Sequence, residues 1–279
     1  MKIVVLVKHV HVPETPEDPP FAADLTVDRI GLRGRLNEAD EHAVEQARRI
    51  ACRRRDVQIS ALTMGPAGAV AALRRALVLG ADQGVHVLDD ALPGSDALAT
   101  SRVLAAAVRR LGFDLVLCGA VSADSGTAVV PTMVAERLGV PSLCFADAVR
   151  VGVDGADGVD EVVVRRDAGA VGEGAVVEGA VVEEAAAFLP ALVSVTDRCG
   201  APRYPSIHAV AEARHKLVRT WALADLGVPR SQVGKQAAAT VTRTVNPCPR
   251  RHAGDVVRDD GHGCGAAGLA DFLAERHLI

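Results

Sequence analysis

Val57-Gln58-Ile59-Ser60-Ala61-Leu62-Thr63-Met64-Gly65-Pro66, continued by Ala67 to Leu79 and closed by Gly80, holds the unit from which most of the chain is built. Residues 57–63 read as a strand, Met64-Gly65-Pro66 as a turn, and 67–79 as a helix stopped by glycine. The same unit recurs on both sides. Upstream, residues 3–8 form a short continuous apolar run, the look of a strand buried on both faces, and a Pro- and acid-rich loop follows from Pro13 to Pro20. From Glu38 to Arg54 the positions Ala39, Ala43, Val44, Ala47 and Ile50 recur at helical spacing. Downstream come a strand over Val85-His86-Val87-Leu88 and a helix capped by Ser95 or Asp96 that runs to about Leu111. A strand over Asp114 to Cys118 and a helix from Thr127 to Leu138 complete the series.

This alternation predicts an α/β fold, a doubly wound, mainly parallel sheet with helices on both faces and right-handed crossovers. In such sheets ligands bind beyond the carboxyl ends of the strands. Those ends are Lys8 onward, Met64-Gly65-Pro66, Asp89-Asp90 and Gly119 to Gly126. After Val149 the texture changes. Short Val-, Gly- and Asp-rich stretches (Val159 to Arg165, Ala175 to Val182) precede Pro190 to Val195, which reads as an antiparallel excursion returning to the sheet. Beyond Thr196 there is little periodicity until Ala266 to His277, a candidate final helix. The expected organisation is therefore an α/β domain over residues 1–195 and an extended C-terminal arm over 196–279 that packs on another subunit.

Composition narrows the function classes. Of 279 residues, 31 are Lys or Arg against 35 Asp or Glu, and five Phe, one Trp and one Tyr are the only aromatic rings apart from His; neither backbone-phosphate binding nor base stacking is favoured, so nucleic acid is not an expected partner. No stretch is apolar enough to span a membrane, and the opening run is too short for a signal peptide, so the chain is expected in the cytoplasm without direct membrane insertion. Six scattered Cys with no Cys-x-x-Cys fit reduced, structural thiols rather than disulfides or zinc. The histidines His208, His215, His252 and His262 have no second ligand at metal spacing, so no metal site is expected. Arg250-Arg251-His252 reads as a solvated basic turn.

Chemistry is confined to two stretches. Ala123-Asp124-Ser125-Gly126-Thr127-Ala128-Val129-Val130 lies between a strand end and a helix start, where unpaired N–H groups and the helix dipole favour a phosphate. An ordinary helix capped by Ser125 or Thr127 explains the same pattern, and Asp124 either meets a ribose hydroxyl or begins the turn. Asn37-Glu38-Ala39-Asp40-Glu41 is similarly ambiguous, with Asn37 as a helix cap or as a contact to a base or ribose. No Gly-x-x-x-x-Gly-Lys-Ser/Thr occurs, no Gly-x-Gly-x-x-Gly follows the first strand, and no nucleophile and base stand together. The residues describe a nucleotide-pocket domain with an arm and no catalytic machinery.

Several stretches, in order and spacing, resemble the beta subunit of electron transfer flavoprotein over nearly the whole chain. They are Val4-Val5-Leu6-Val7-Lys8-His9-Val10, Leu36-Asn37-Glu38-Ala39-Asp40-Glu41-His42-Ala43-Val44-Glu45, Leu62-Thr63-Met64-Gly65-Pro66, Leu79-Gly80-Ala81-Asp82, Gly94-Ser95-Asp96, Pro202-Arg203-Tyr204-Pro205-Ser206-Ile207 and Leu223-Ala224-Asp225-Leu226-Gly227. The resemblance implies an adenine-nucleotide-binding α/β domain whose arm embraces an alpha subunit. In such a heterodimer the alpha subunit carries the redox-active FAD and takes electrons from flavoprotein dehydrogenases for a downstream acceptor. This chain would then be an electron-carrier subunit, not an enzyme, holding AMP or a second FAD of its own.

Carried over, the nucleotide site falls on Leu6, Asn37, Met64, Ser122, Asp124, Ser125, Thr127, Ala128, Val129 and Val130. Thr127-Ala128-x-Val130 is closer to the second-FAD pattern, yet Gly126 and Val129 stand where that pattern has Asp and Gln, so AMP and FAD both stay open. The resemblance also assigns Ile207 to docking with partner dehydrogenases, with Glu212, Arg214 and His215 replacing some of the usual lysines. The stretch from Val149 to Phe188 is longer than the family's usual hairpin. A stand-alone ATP- or AMP-sensing module resembling universal stress proteins is the alternative, although such a module has no use for residues 196–279.

Overall fold

The computed structural model describes residues 1–11, 21–29, 34–153, 160–167, 182–246, 254, 256, 258–259 and 261–278. Its strands are β1 (Lys2–Leu6), β2 (His9–His11), β3 (Gly34–Leu36), β4 (Gln58–Met64), β5 (Gln83–Val87), β6 (Leu115–Gly119), β7 (Ser142–Ala146), β8 (Ala148–Val153), β9 (Asp160–Asp167), β10 (Val182–Phe188), β11 (Ala191–Val195) and β12 (Val218–Trp221). The helices are α1 (Glu38–Arg53), α2 (Val70–Leu79), α3 (Ala97–Leu111), α4 (Val130–Leu138), α5 (Ile207–Ala213), α6 (Gly234–Ala237) and α7 (Cys264–Glu275).

Seven strands form one sheet in the order β12-β5-β4-β1-β6-β11-β7, and every pairing in it is parallel. The doubly wound α/β fold expected from the alternation is the fold observed. The chain passes from β1 outward through β4 to β5 on one side, then returns to place β6 on the other side of β1. The winding therefore reverses at β1 and β6, and in sheets of this kind such a reversal leaves a crevice beyond the strands' carboxyl ends.

The central strands divide their side chains between two cores at the period of two that a strand imposes. Ile3 and Val5 of β1, Leu115 and Leu117 of β6 and Ala191 and Val193 of β11 meet Ala43, Val44 and Ala47 of α1 and Leu73, Ala76 and Leu77 of α2. Val4 and Leu6 of β1, Val116 of β6 and Leu192 of β11 meet Val103, Leu104 and Val108 of α3 and Val134 and Ala135 of α4 on the opposite face. Continuous apolar runs are what strands covered on both faces require, and each fully buried Val or Leu contributes about 1.5–3 kcal/mol. Alanines on α1, α2 and α3 let these helices lie close to the sheet, in keeping with a chain short of aromatic residues.

The excursion after Val149 is an antiparallel sheet in the order β10-β9-β8, whose Val162 and Val164 join the first core, and β11 then re-enters the main sheet between β6 and β7. Residues 175–181 of the expected excursion lie outside the described residues, as do residues 13–20 and Arg250-Arg251-His252. Among the described residues Cys52, Cys118, Cys144 and Cys199 are free thiols.

Contacts divide the chain into two compact units, residues 1–242 and 243–279. Within residues 196–242, expected to be part of an arm, Val218–Trp221 pairs with β5 as the edge strand of the sheet, and α5 packs on α2. Residues 243–279 contain α7, close to the helix expected over 266–277. Among the described residues no helix is long and apolar enough to cross a membrane.

Candidate functional site

The crevice is built where the ends of β1 and β6 meet the head of α1. Asp40, in the first turn of α1, is buried, and its carboxylate accepts from the Lys8 N–H at 2.8 Å and from the Gly119 N–H at 2.9 Å. One side chain thus ties together the two strands at which the sheet reverses. Burial pushes Asp40 up to about 6, against the pull of the Lys8 N–H, Asn37 and the Gly119 N–H. The close approach depends on glycine: a Cβ on Gly119 would stand 2.5 Å from Asp40 Oδ1 and 2.7 Å from Ala39 Cβ.

Asn37 neither caps α1 with its side chain nor offers its amide freely to a ligand. Its Nδ2 donates to the Val121 carbonyl at 2.9 Å and its Oδ1 accepts from the Ala123 N–H at 3.1 Å. The buried amide acts as a peptide-like clip that holds residues 121–123 against the head of α1.

Past that clip the chain turns sharply. Gly126 donates its N–H to the Ser122 carbonyl, and Gly126 and Ala128 take φ of 60° and 56°. Two left-handed residues cannot be helical, so α4 begins at Val130 rather than at the expected Thr127, and neither Ser125 nor Thr127 caps it. The N–H groups of Asp124, Ser125, Thr127, Ala128 and Val129 have no acceptor among the described residues. They lead into the N-terminus of a nine-residue helix, where the dipole favours an anion.

Charge is concentrated on the same turn. Lys8 Nζ donates to Ser122 Oγ at 3.0 Å, Asp124 Oδ1 at 2.7 Å and Ser125 Oγ at 3.1 Å. Arg29 Nη2 stands 2.8 Å from Asp124 Oδ2, and the Asp124 side chain is only 5% exposed. Burial opposes ionisation of Asp124, but the hydrogen bonds and charges of Lys8 and Arg29 outweigh it and hold the carboxyl below the ordinary carboxylate range. On Lys8 the same burial wins over Asp124 and lowers the ammonium from its usual 10.5. The two shifts pull the pair in opposite senses; the short contact and the second cation on Asp124 mark it as ionic at neutral pH.

The expected site residues are placed as follows. Leu6 ends β1, Met64 ends the adjacent β4, Ser122, Asp124 and Ser125 share the Lys8 ammonium, and Asn37 holds the backbone of Val121 and Ala123 beside them. Thr127, Ala128, Val129 and Val130 follow directly in the turn and at the start of α4. Ile207 is elsewhere, at the first position of α5, which is capped by Ser206 Oγ accepting from the Ala209 N–H, and its side chain is 91% exposed. Sequence reasoning passed over Lys8, Arg29 and Asp40 as site residues. The available signal was the placement of Lys8 at a strand's carboxyl end, whereas Asp40 looked like one more acid in a helix's first turn.

A cavity of about 590 Å³ between α1 and β8 is lined by Arg49, Arg53, Arg54 and Arg150. Three of these arginines already have carboxylate partners, Arg49 with Glu45, Arg54 with Asp160 and Arg150 with Glu184. Among the described residues, no three His, Cys, Asp or Glu side chains come together as a metal would require.

Comparison with known proteins bears on this geometry. The family model described as "Electron transfer flavoprotein domain" matches residues 24–226. The chain is 35% identical over 283 residues to the electron transfer flavoprotein subunit beta of Mycobacterium tuberculosis, covering 99% of each. It is 32% identical over 288 residues to the subunit of the same name from Megasphaera elsdenii, covering 100% of each. A caffeyl-CoA reductase-Etf complex subunit, CarD of Acetobacterium woodii, is 29% identical over 281 residues with 100% of each covered.

Proposed function

The chain belongs to the electron transfer flavoprotein family and matches its beta subunits along their whole length, and on that premise we propose that it is the beta subunit of a heterodimeric electron carrier. With an alpha subunit that holds the redox-active FAD, it moves electrons from flavoprotein dehydrogenases to a downstream acceptor in the cytoplasm. In this chain the β1–β6 crevice holds AMP or a second FAD. The observation that carries this reading is the turn over Ser122 to Val130, which follows β6, carries N–H groups without acceptors among the described residues and is paired with the cations of Lys8 and Arg29.

The residues present fit such a nucleotide. Asp124 would repel a phosphate were its charge exposed, but Lys8 and Arg29 neutralise it. Leu6 and Met64 end neighbouring strands at the same edge of the sheet. FAD supplies the electron chemistry when bound; this chain binds and orients the nucleotide. Ile207 and Tyr204, 91% and 98% exposed, give the docking surface for dehydrogenases. The exposed Leu269, Phe272 and Leu278 in and just after α7 support an arm that packs on the alpha subunit.

The test is to co-express the chain with an alpha-type subunit, purify the complex and count FAD and AMP per heterodimer after denaturation. Two FAD identify the second-flavin type, and one FAD with one AMP the single-flavin type. If no alpha subunit co-purifies, the carrier reading fails and the stand-alone ATP- or AMP-sensing module takes its place.

A further inference from the structure

Resting on the nucleotide reading above, we infer that Lys8, with Arg29 beside it, is the positioning residue of the Ser122–Val130 turn, and that Asp124 is the anchor through which it acts rather than a contact to the nucleotide. The turn is a poor candidate to hold its own shape. Gly126 and Ala128 are in left-handed conformations, the preceding residues are small and polar, and the helix that follows has no side-chain cap. Left-handed backbone at a non-glycine residue persists where the surroundings over-determine it.

Here the surroundings are one ammonium bonded to three side chains of the turn. Its backbone N–H is fixed in turn by Asp40, at the end of the central strand. An exposed ion pair would hold little. This one differs, because the Asp124 carboxylate is 5% exposed and bridges cations from two separate segments. Removing Lys8 would leave a buried carboxylate with Arg29 alone, at the place where a phosphate must approach. Lys8 and Arg29 offset Asp124, so that its carboxylate does not oppose a nucleotide phosphate.

Acting through Asp124 and touching phosphate directly have different consequences. If Lys8 works by anchoring the turn, most of the effect of its loss disappears once Asp124 is absent, the two serine bonds being the remainder. If it touches phosphate, its loss matters equally with or without Asp124. The experiment is a double-mutant cycle on the heterodimer, stripped of bound nucleotide and titrated with AMP and, separately, with FAD.

Lys8→Met is expected to weaken binding about tenfold or more, since a charge-assisted bond to a buried group is lost. Lys8→Arg should restore most of the affinity, and Lys8→Met should cost clearly less in an Asp124→Asn background, about the several-fold loss due to the serine bonds alone. Ser122→Ala with Ser125→Ala removes two of the ammonium's partners without altering charge. This double variant is expected to weaken binding several-fold, which keeps the test decisive should Lys8→Met fail to assemble. Wild-type affinity in Lys8→Met, or in the serine double variant if that is the one that assembles, would overturn the inference, as would equal losses in the two Asp124 backgrounds. The nucleotide reading would survive either result. A wild-type complex that binds neither AMP nor FAD would instead overturn that reading itself.

Discussion

Asp40 and Asp124 both bond Lys8, one through its N–H and the other through its ammonium, and answer pH in opposite directions. Burial raises Asp40 from 3.8 to about 6, so between those values the folded chain holds a proton that the unfolded chain has released. Stability therefore falls as pH rises through that window, by about 3 kcal/mol for a shift of this size. Asp124 lies below its ordinary value when folded, so its ion pairs contribute above about pH 4 and are lost only on further acidification. Asp40→Asn should abolish the first effect: urea denaturation at pH 4 and pH 7 should show the variant gaining on the wild type by about 3 kcal/mol. Parallel pH dependence in the two proteins would mean that Asp40 is not a buried carboxylate of this kind. Gly119→Ala tests the same junction sterically. The new methyl would face Asp40 Oδ1 at 2.5 Å and the Ala39 backbone carbon at 2.8 Å. About 1–3 kcal/mol of stability should be lost, with lower nucleotide occupancy; an unchanged urea midpoint would remove the close approach from the account. From sequence, Asn37 was ambiguous between cap and ligand contact. It proves to be a clip on residues 121–123, because its partners are backbone groups more than 80 positions away that no local pattern announces.

At the scale of elements, the signals that read well were those a single element satisfies by itself. The apolar run of β1, the spacing of Ala43, Val44, Ala47 and Ile50 on α1, and Asp96 accepting from the Ala99 N–H at the head of α3 all follow from local chemistry. The start of α4 did not read well. Ser125 and Thr127 are good caps in isolation, but the contacts of Lys8 and Asp124 hold the turn beyond the point where a local cap would start the helix. Strand β12 was also missed. Its Val-Arg-Thr-Trp has little alternation, and it is a strand because β5 offers it a free edge. Helix α5, not expected from the sequence, is capped by Ser206, packs on α2, and leaves Ile207 exposed. Lys216 Nζ, just beyond α5, donates to the Leu77 and Ala81 carbonyls at the end of α2, which fixes the place of α5. Ile207→Ala should therefore leave stability within about 0.5 kcal/mol, as for other exposed positions, while slowing reduction by a cognate dehydrogenase several-fold. Stopped-flow reduction of the heterodimer decides this; unchanged kinetics would demote Ile207 to a bystander.

For the whole molecule, the two cores determine what can be removed. Every residue of both buried clusters lies at or before Val233, within the unit that ends at Thr242. The unit from Arg243 to Ile279 has few internal contacts, and its helix α7 has no buried residue. Twelve residues of helix with exposed Leu269 and Phe272 cannot be stable alone in water, because a helix that short depends on packing. A chain truncated after Thr242 should accordingly keep its far-ultraviolet circular dichroism per residue of sheet and its thermal midpoint to within a few degrees. The β1–β6 crevice should also stay intact, since Lys8, Arg29, Asn37, Asp40 and the Ser122–Val130 turn all belong to the retained unit. What should fail is assembly. If residues 243–279 are the arm that grips the alpha subunit, size-exclusion chromatography of the truncated chain with alpha should show at least tenfold weaker association. Co-elution at full-length affinity would place the subunit interface on residues 1–242 and leave α7 without a role in the heterodimer. Loss of the cooperative unfolding transition would show instead that the two cores need support from the C-terminal unit, against the separation their residues display.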